Sequence, residues 1–375
     1  MTEIYLIRHA QAEGNLYKMF QGHWDGGITP LGRKQIDALA ERFRTVHIDA
    51  VYSSDLYRAM ATARGVCRYS GLEPVREPGL REINVGVWEG DFFADVRHAE
   101  PEALARFITD PEHWQVPGSE TYGIVRDRAT AALKRAAEAN DGRVIAAASH
   151  GVTIRSVLWG ILGGDLRDAS ALPIFGNTSV THLFYENGAF TVDYMNDTSH
   201  LGQDTVFAWK RSTELRAEPL DPDKDGEFYI ACYADSWKTI HGSLEGFNGY
   251  EYLQSAREHL AADGRAVLKF YDNDVPAGLL DMNTKRGEGA GYGWISLLYL
   301  LPEYRGRGCA AQVMARAIRH YDELGRRTIR LNCSEKNAAG LKFYARNEFA
   351  ELSHFDNGRG KLYLLEKPVR GGRDV

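Results

Sequence analysis

Cysteine is scarce: 4 among 375 residues, at Cys67, Cys232, Cys309 and Cys333, with no C-x-x-C pair. That scatter provides no disulfide framework and no zinc-finger spacing, and it suits a reducing, cytoplasmic setting. Long hydrophobic runs are missing as well. The stretch 294–301 is among the longest, far short of the roughly 20 apolar residues that a bilayer span needs. The first residues enter a strand pattern without a basic region, long apolar segment and cleavage site, so neither export nor membrane association is expected. Positive charge is not in excess, with Lys+Arg 45 against Asp+Glu 51 and a net charge of -6. This balance, without a basic patch interleaved with aromatics, argues against nucleic acid as the main partner. The 12 histidines show no metal-ligand spacing, so no metal is expected. No internal repeat is visible.

What is present favours two domains, given 375 residues that are 44% hydrophobic and 26% charged. The first stretch of interest is Tyr5-Leu6-Ile7 followed by Arg8-His9-Ala10. A short apolar run ending abruptly in polar residues reads as a buried strand. In an open α/β sheet, groups just past the carboxyl end of a strand line the ligand crevice. Thr29-Pro30 then opens a helix as N-cap and first helical position. Asp49 to Ser54 reads as a second strand, running into a helix that carries Arg58. A loop from Leu80 to Gly90 contains Glu82, and residues 99–141 look largely helical. Arg143 to Ala148 is a third strand, ending in Ser149-His150-Gly151 before a helix from Val152 to Leu162. Segments 177–183 and 190–194 supply closing strands.

Arg8-His9-Ala10, Ser53-Ser54-Asp55-Leu56 with Arg58, Glu82, and Ser149-His150-Gly151 together resemble the histidine phosphatase superfamily, with its phosphoglycerate mutase-like three-layer α/β/α fold, over roughly residues 1–200. Asn15, Gln21 and Gly22 also match positions where that family contacts phosphate. The resemblance implies that His9 is the nucleophile and becomes transiently phosphohistidine. It makes Arg8, Arg58 and His150 the cage of the phosphoryl oxygens, with Asn15, Gln21, Gly22 and Gly151 beside them. His150, if protonated, would add a third positive group. Glu82 is expected to act as general acid to the leaving group and as base toward water. Glu89 and Asp91 are competing acids nearby. His23, His98, His113 and His182 read as ordinary polar positions. Ala10 stands where the family usually has Gly, which matters only if the backbone there needs positive φ.

Mutases of the superfamily carry longer specificity segments. This domain is compact, with only about Asp91 to Pro117 available to cover the site, which favours a phosphatase. The aromatic and polar residues of that segment (Phe92, Phe93, Asp95, His98, His113, Trp114) are expected to choose the substrate.

From Gly202 to Gly226 the periodicity fades, and prolines, acids and a glycine mark a linker at residues 203–225. Phe207 and Trp209 are expected to pack it onto a domain surface. The domains are then 1–202 and 226–370. In the second, a helical region from about Trp237 to Ala262 precedes strands at 265–271 and 278–283, joined by a turn at 272–274. Trp294 to Leu300 is another strand. The loop Arg305-Gly306-Arg307-Gly308-Cys309-Ala310 follows and opens a helix, a place where backbone N–H groups can approach an anion. It resembles the R-x-x-G-x-G/A signature of the GNAT acetyltransferases, and Asn337 to Tyr344 resembles that family's N-x-x-A-x-x-x-Y helix. The resemblance implies an α+β domain with a mixed, mostly antiparallel sheet. In it, Leu300 and the 305–310 loop hold acetyl-CoA, Asn337 steadies the cofactor arm, and Tyr344 protonates the departing thiolate. Glu348-Phe349 replaces the usual Gly-Phe, with Asn347 the expected left-handed substitute.

The expected protein is a bifunctional enzyme: a cofactor-free phosphatase acting on a small phosphorylated metabolite, joined to an acetyl-CoA-dependent N-acetyltransferase for a small amine. A phosphatase regulated by an acetyl-CoA-sensing domain and a mutase-type phosphotransferase are the alternatives. Oligomeric state is not legible.

Overall fold

The computed structural model describes residues 1–163, 172–203, 205, 213–356, 358 and 360–370; Phe207 and Trp209 lie outside the described residues. The chain divides into two compact units, Met1–Trp209 and Lys210–Gly371.

The first unit runs β1 (Thr2–Arg8), α1 (Glu13–Tyr17), α2 (Pro30–Phe43), β2 (Ala50–Ser53), α3 (Tyr57–Val66), β3 (Val75–Arg76), α4 (Phe93–Ala99), α5 (Pro101–Thr109), α6 (Tyr122–Glu138), β4 (Val144–Ser149), α7 (Gly151–Leu162) and the hairpin β5 (Val180–Glu186)–β6 (Ala189–Asp197). Its sheet has the order β3-β2-β4-β1-β5-β6. The first four strands are parallel, and β5 and β6 close the sheet antiparallel. Side chains alternate across a strand, so one apolar run feeds two cores. Ile4 and Leu6 of β1, with Ile145 and Ala147 of β4, pack under α6 and α7. Ile7 of β1, with Ala146 and Ala148 of β4, packs under α2 and α3. The start of α2 follows the sequence signal: Thr29 Oγ1 accepts from Gly32 N at 3.0 Å, with Pro30 at the first helical position.

Part of the segment expected to choose the substrate is packed into the core. Phe92 and Trp114 are buried, and Trp114 packs at 5.4 Å from Trp88 and 4.8 Å from Phe107, so aromatic packing has claimed it. His113 is exposed and pairs with Asp110.

The second unit runs β7 (Arg216–Pro219), α8 (Gly226–His241), α9 (Gly249–Ala262), β8 (Val267–Asp272), β9 (Val275–Asn283), β10 (Tyr292–Leu300), α10 (Cys309–Glu323), β11 (Thr328–Ser334), α11 (Ala338–Arg346), β12 (Ala350–Asp356) and β13 (Lys361–Pro368). The sheet order is β12-β13-β11-β10-β9-β8-β7. Among the described residues, only β10 and β11 of this sheet pair in parallel; the other neighbours are antiparallel. Three expectations change. Part of the expected linker, Arg216–Pro219, is the edge strand β7, paired to β8 from Arg216↔Tyr271 to Pro219↔Leu268. Its proline, Pro219, hid it, although Pro is at home on a sheet edge. The helical region is two helices, broken at Gly242 with φ 80. After α11 the left-handed residue is Glu348 (φ 65), not Asn347. Asn347 stays right-handed because its Nδ2 donates to Phe343 O at 2.8 Å, which already satisfies a terminal carbonyl of α11.

The pairing of β10 prepares a site. It pairs with β9 as far as Leu300↔Gly278, with a register shift between Ile295 and Leu297. Its parallel pairing with β11 stops at Ile295↔Leu331. Past that bulge the two parallel strands part, and the Arg305–Ala310 loop lies just beyond the carboxyl end of β10.

Candidate active site

Three parallel strands of the first unit end at one level. Arg8 is in register with Ser149, and Ser53 with Ala148. The residues that follow, His9, Ser54 and His150, therefore leave the sheet together at its carboxyl edge. Backbone bonds hold them there: His9 N donates to Ser149 O, and Ser54 N to Ala148 O, both at 2.9 Å. The His9 and His150 rings are 5.1 Å apart, and both are buried. His9 Nδ1 lies 2.7 Å from Ala10 O. A carbonyl only accepts, so this contact assigns the proton to Nδ1 and leaves a lone pair on Nε2.

Two guanidiniums enclose the pair. Arg58 is fully buried and anchors the 21–25 loop. Its Nη2 donates to Gln21 O at 2.6 Å and Gly22 O at 2.8 Å. Its Nη1 donates to Trp24 O at 3.0 Å and reaches Asp25 Oδ1 at 3.3 Å. Arg8 donates from Nη1 to Phe175 O. The Nε atoms of both arginines are buried without a hydrogen-bond partner, as is His150 Nδ1. Burial pulls Arg8 down to about 10, with Glu82 opposing the shift, so it remains charged at neutral pH. Burial, then Arg58 and Arg8, hold His9 well below the ordinary histidine range. His150 is held down by burial, then by Arg58 and His9. The charge of His150, left conditional by the sequence, is disfavoured here by burial and by the neighbouring cations.

This has a consequence for pH. A base depressed in the fold costs stability wherever the unfolded chain is protonated and the folded chain is not. Stability is therefore full above the unfolded value of about 6.5 and declines as pH falls through it. His150→Gln is expected to flatten that decline by one proton, about 1.4 kcal/mol per pH unit, in urea titrations between pH 7 and 5.

Glu82 faces the same enclosure, since its charge acts on both Arg8 and Arg58. Its Oε1 accepts from Ile83 N, Thr153 N and Thr153 Oγ1, each at 3.0 Å, and Oε2 from Val152 N at 3.1 Å. Glu82 thereby caps α7, the helix that follows His150. Gly151, at the start of α7, packs beside Arg8; an added Cβ would lie 3.4 Å from Arg8 Nε. Gly22 is required by close approach, because a Cβ there would fall 2.3 Å from both Ile83 O and Glu89 Oε1. Glu89 accepts from His23 N at 2.8 Å and Trp24 N at 2.6 Å, holding the turn that follows Gly22. Asn15 Oδ1 accepts from Ala12 N at 3.0 Å, tying the residue to its own helix start, and Gln21 lies over Gly14.

Ala10 is not among the described residues with positive φ. It is buried against Ile28 and Ile36, and its N–H donates to Thr62 Oγ1 at 2.9 Å. Ala10→Gly is therefore expected to leave turnover within about twofold and to cost about 1 kcal/mol, through loss of a packed methyl and a freer unfolded chain. Matched rate and denaturation measurements check it.

Several supporting residues carry no motif. Asn177 Nδ2 donates to His9 O at 3.0 Å. Arg128 binds Gly79 O, Arg81 O and Glu82 O at 2.9, 2.7 and 2.9 Å, pinning the loop that carries Glu82. Asp25 fixes the start of α3 by accepting from Tyr57 N at 2.6 Å. Sequence flagged none of them; an arginine inside a helix or an asparagine before a strand looks ordinary.

In the second unit, Gly306 (φ 73) and Gly308 (φ 82) bend the loop into α10, whose first residues are Cys309 and Ala310. The left-handed turns and the first-turn N–H groups of a 15-residue helix fit an anion such as a pyrophosphate. Arg305 is used internally: Nε donates to Leu300 O at 2.9 Å and Nη2 to Asp235 Oδ2 at 3.0 Å. Arg307 is exposed beside the loop. Asn337 caps α11, its Oδ1 accepting from Gly340 N at 2.9 Å. Tyr344 is buried between Phe343 and Phe349, and burial raises its phenol above the ordinary tyrosine range.

Residues 4–198 match the family model of the histidine phosphatase superfamily (branch 1), and residues 223–349 that of the acetyltransferase (GNAT) family. Phosphoserine phosphatase 1 of Hydrogenobacter thermophilus is 30% identical over 212 residues, which are 56% of this chain and 99% of that protein. A metal-independent phosphoserine phosphatase of Arabidopsis thaliana is 31% identical over 204 residues, 54% of this chain and 84% of that protein. Among solved structures, Bacillus stearothermophilus YhfR is 28% identical with a TM-score of 0.52, covering 53% of this chain and 99% of that one.

Proposed function

The chain belongs to the histidine phosphatase superfamily and carries a GNAT acetyltransferase domain behind it, and on that premise we propose a bifunctional enzyme. The first activity is metal-independent hydrolysis of a small phosphomonoester through phosphohistidine; the second is acetyl transfer from acetyl-CoA to a small amine. The observation that carries the first is the pairing of an unprotonated His9 Nε2 with buried, partnerless Nε–H donors of Arg8 and Arg58. Those donors suit the equatorial oxygens of a phosphoryl group. His9 Nε2 attacks phosphorus, and the bond to the leaving oxygen breaks as Glu82, having taken the proton of the monoanionic phosphomonoester, passes it to that oxygen. A water, deprotonated by Glu82, then displaces the phosphoryl group from His9 and frees inorganic phosphate.

Two relatives are named for phosphoserine, which supports an amine-bearing phosphomonoester as the substrate class. The reading then joins the domains: one removes the phosphate from such a metabolite, and the other acetylates an amine of the same or a related compound. Acetyl-CoA supplies the activated acyl group. Loop 305–310 binds its pyrophosphate, Leu300 and the parted β10 and β11 line its arm, and Tyr344, which keeps its proton, serves as acid. The test is phosphate release from a panel of phosphorylated amines, with acetylation of their amines followed in parallel. A shared substrate supports the joint reading, and activities with no common compound refute it. Gly308→Val puts a β-branched residue at φ 82 and is expected to weaken acetyl-CoA binding at least about tenfold in calorimetry, without loss of fold.

A further inference from the structure

Among the described residues the Ser54 hydroxyl has two partners, and satisfying its own proton as well as its oxygen favours one state of His150. Leu56 N–H, at 3.4 Å, can only donate. His150 Nε2 lies at 2.8 Å. The hydroxyl oxygen therefore accepts from Leu56, and among the described residues its own proton finds an acceptor in His150 Nε2. A ring that accepts at Nε2 carries its proton on Nδ1, on the side turned away from Ser54. That Nδ1 is buried without a partner, and both Ser54 and His150 have no solvent exposure.

We propose that Ser54 is a positioning residue that fixes His150 as its Nδ1–H tautomer, so that His150 enters the phosphoryl site as a hydrogen-bond donor rather than as a cation. The fixed positive charge of the site is then carried by Arg8 and Arg58. Ser54 sits one residue past β2 in the same register that delivers His9 and His150, so the sheet sets the bond geometry. The catalytic meaning of this tautomer rests on the proposed phosphatase reading, whereas the tautomer itself does not.

The experiment uses the full-length chain with 15N-labelled histidine in phosphate-free buffer at pH 8, read by long-range 1H–15N correlation. The signals of His150 are identified by their absence in His150→Gln. The expected result is a protonated Nδ1 and an accepting Nε2. Ser54→Ala should move the proton to Nε2 or mix the tautomers. It should also weaken inorganic phosphate binding and lower kcat, each about tenfold. Ser54→Thr, which keeps the hydroxyl, should restore both the spectrum and the affinity. A wild-type His150 protonated at Nε2, or a Ser54→Ala spectrum unchanged from wild type, would overturn the assignment. A correct tautomer in a chain that hydrolyses no phosphomonoester would refute the proposed function and leave the role of Ser54 in setting the tautomer supported.

Discussion

Replacing His9 by Ala is expected to lower kcat for phosphomonoester hydrolysis at least about ten-thousandfold while the chain stays folded. The size of the effect follows from chemistry. Without Nε2 there is no group to take the phosphoryl group, and the arginines can bind substrate but offer no covalent route. The mildness toward folding follows from structure. His9 makes one side-chain hydrogen bond, to the neighbouring Ala10 O at 2.7 Å, and its charged form is already disfavoured by burial. Phosphate affinity should persist in the variant, because Arg8, Arg58 and His150 are untouched. Steady-state rates on an aryl phosphate, with thermal melting alongside, check both halves. A variant retaining more than about a hundredth of the activity would point to direct attack by water.

Arg58→Ala should damage rate and stability together, unlike His9→Ala. A lost transition-state donor costs on the order of a hundred- to a thousandfold in kcat. In addition, the guanidinium holds the carbonyls of Gln21, Gly22 and Trp24 at 2.6, 2.8 and 3.0 Å. Removing it strands those carbonyls, at about 3 kcal/mol for a buried network of this kind. Arg58→Lys keeps the charge but cannot span three carbonyls with one ammonium, so it should recover little of either loss. Urea midpoints and kcat/KM measured on both variants separate the effects. A fully stable Arg58→Ala would mean that the 21–25 loop is held by something other than this fork.

Sequence revealed what touches the chemistry and little of what holds it. Arg8, His9, Arg58, Glu82 and His150 stand at strand ends and helix starts, where a polar residue interrupts an apolar pattern, and such interruptions are visible. The structure brings all five to one enclosure. Charge state was not visible: whether His150 carries a proton depends on burial and on the guanidiniums around it, which no local pattern shows. Asn177 and Arg128 act through backbone carbonyls distant in sequence, and such partners leave no local signature. In the second unit the glycines at positions 306 and 308 were legible because their backbone conformation demands them. The edge strand Arg216–Pro219 was not, because Glu218 and Pro219 read as linker. The left-handed Glu348 was misplaced by one residue for a related reason: Asn347 had the better intrinsic propensity but had spent its amide on Phe343 O.

The account turns on phosphohistidine, and rapid quenching tests it most directly. The full chain, treated with EDTA and mixed with a 32P-labelled phosphomonoester, should trap a label that is stable to base and labile to acid, on the peptide containing His9. Wild-type chain lacking this label while turning over, label on serine or aspartate instead, or turnover that ceases with chelation would each contradict it.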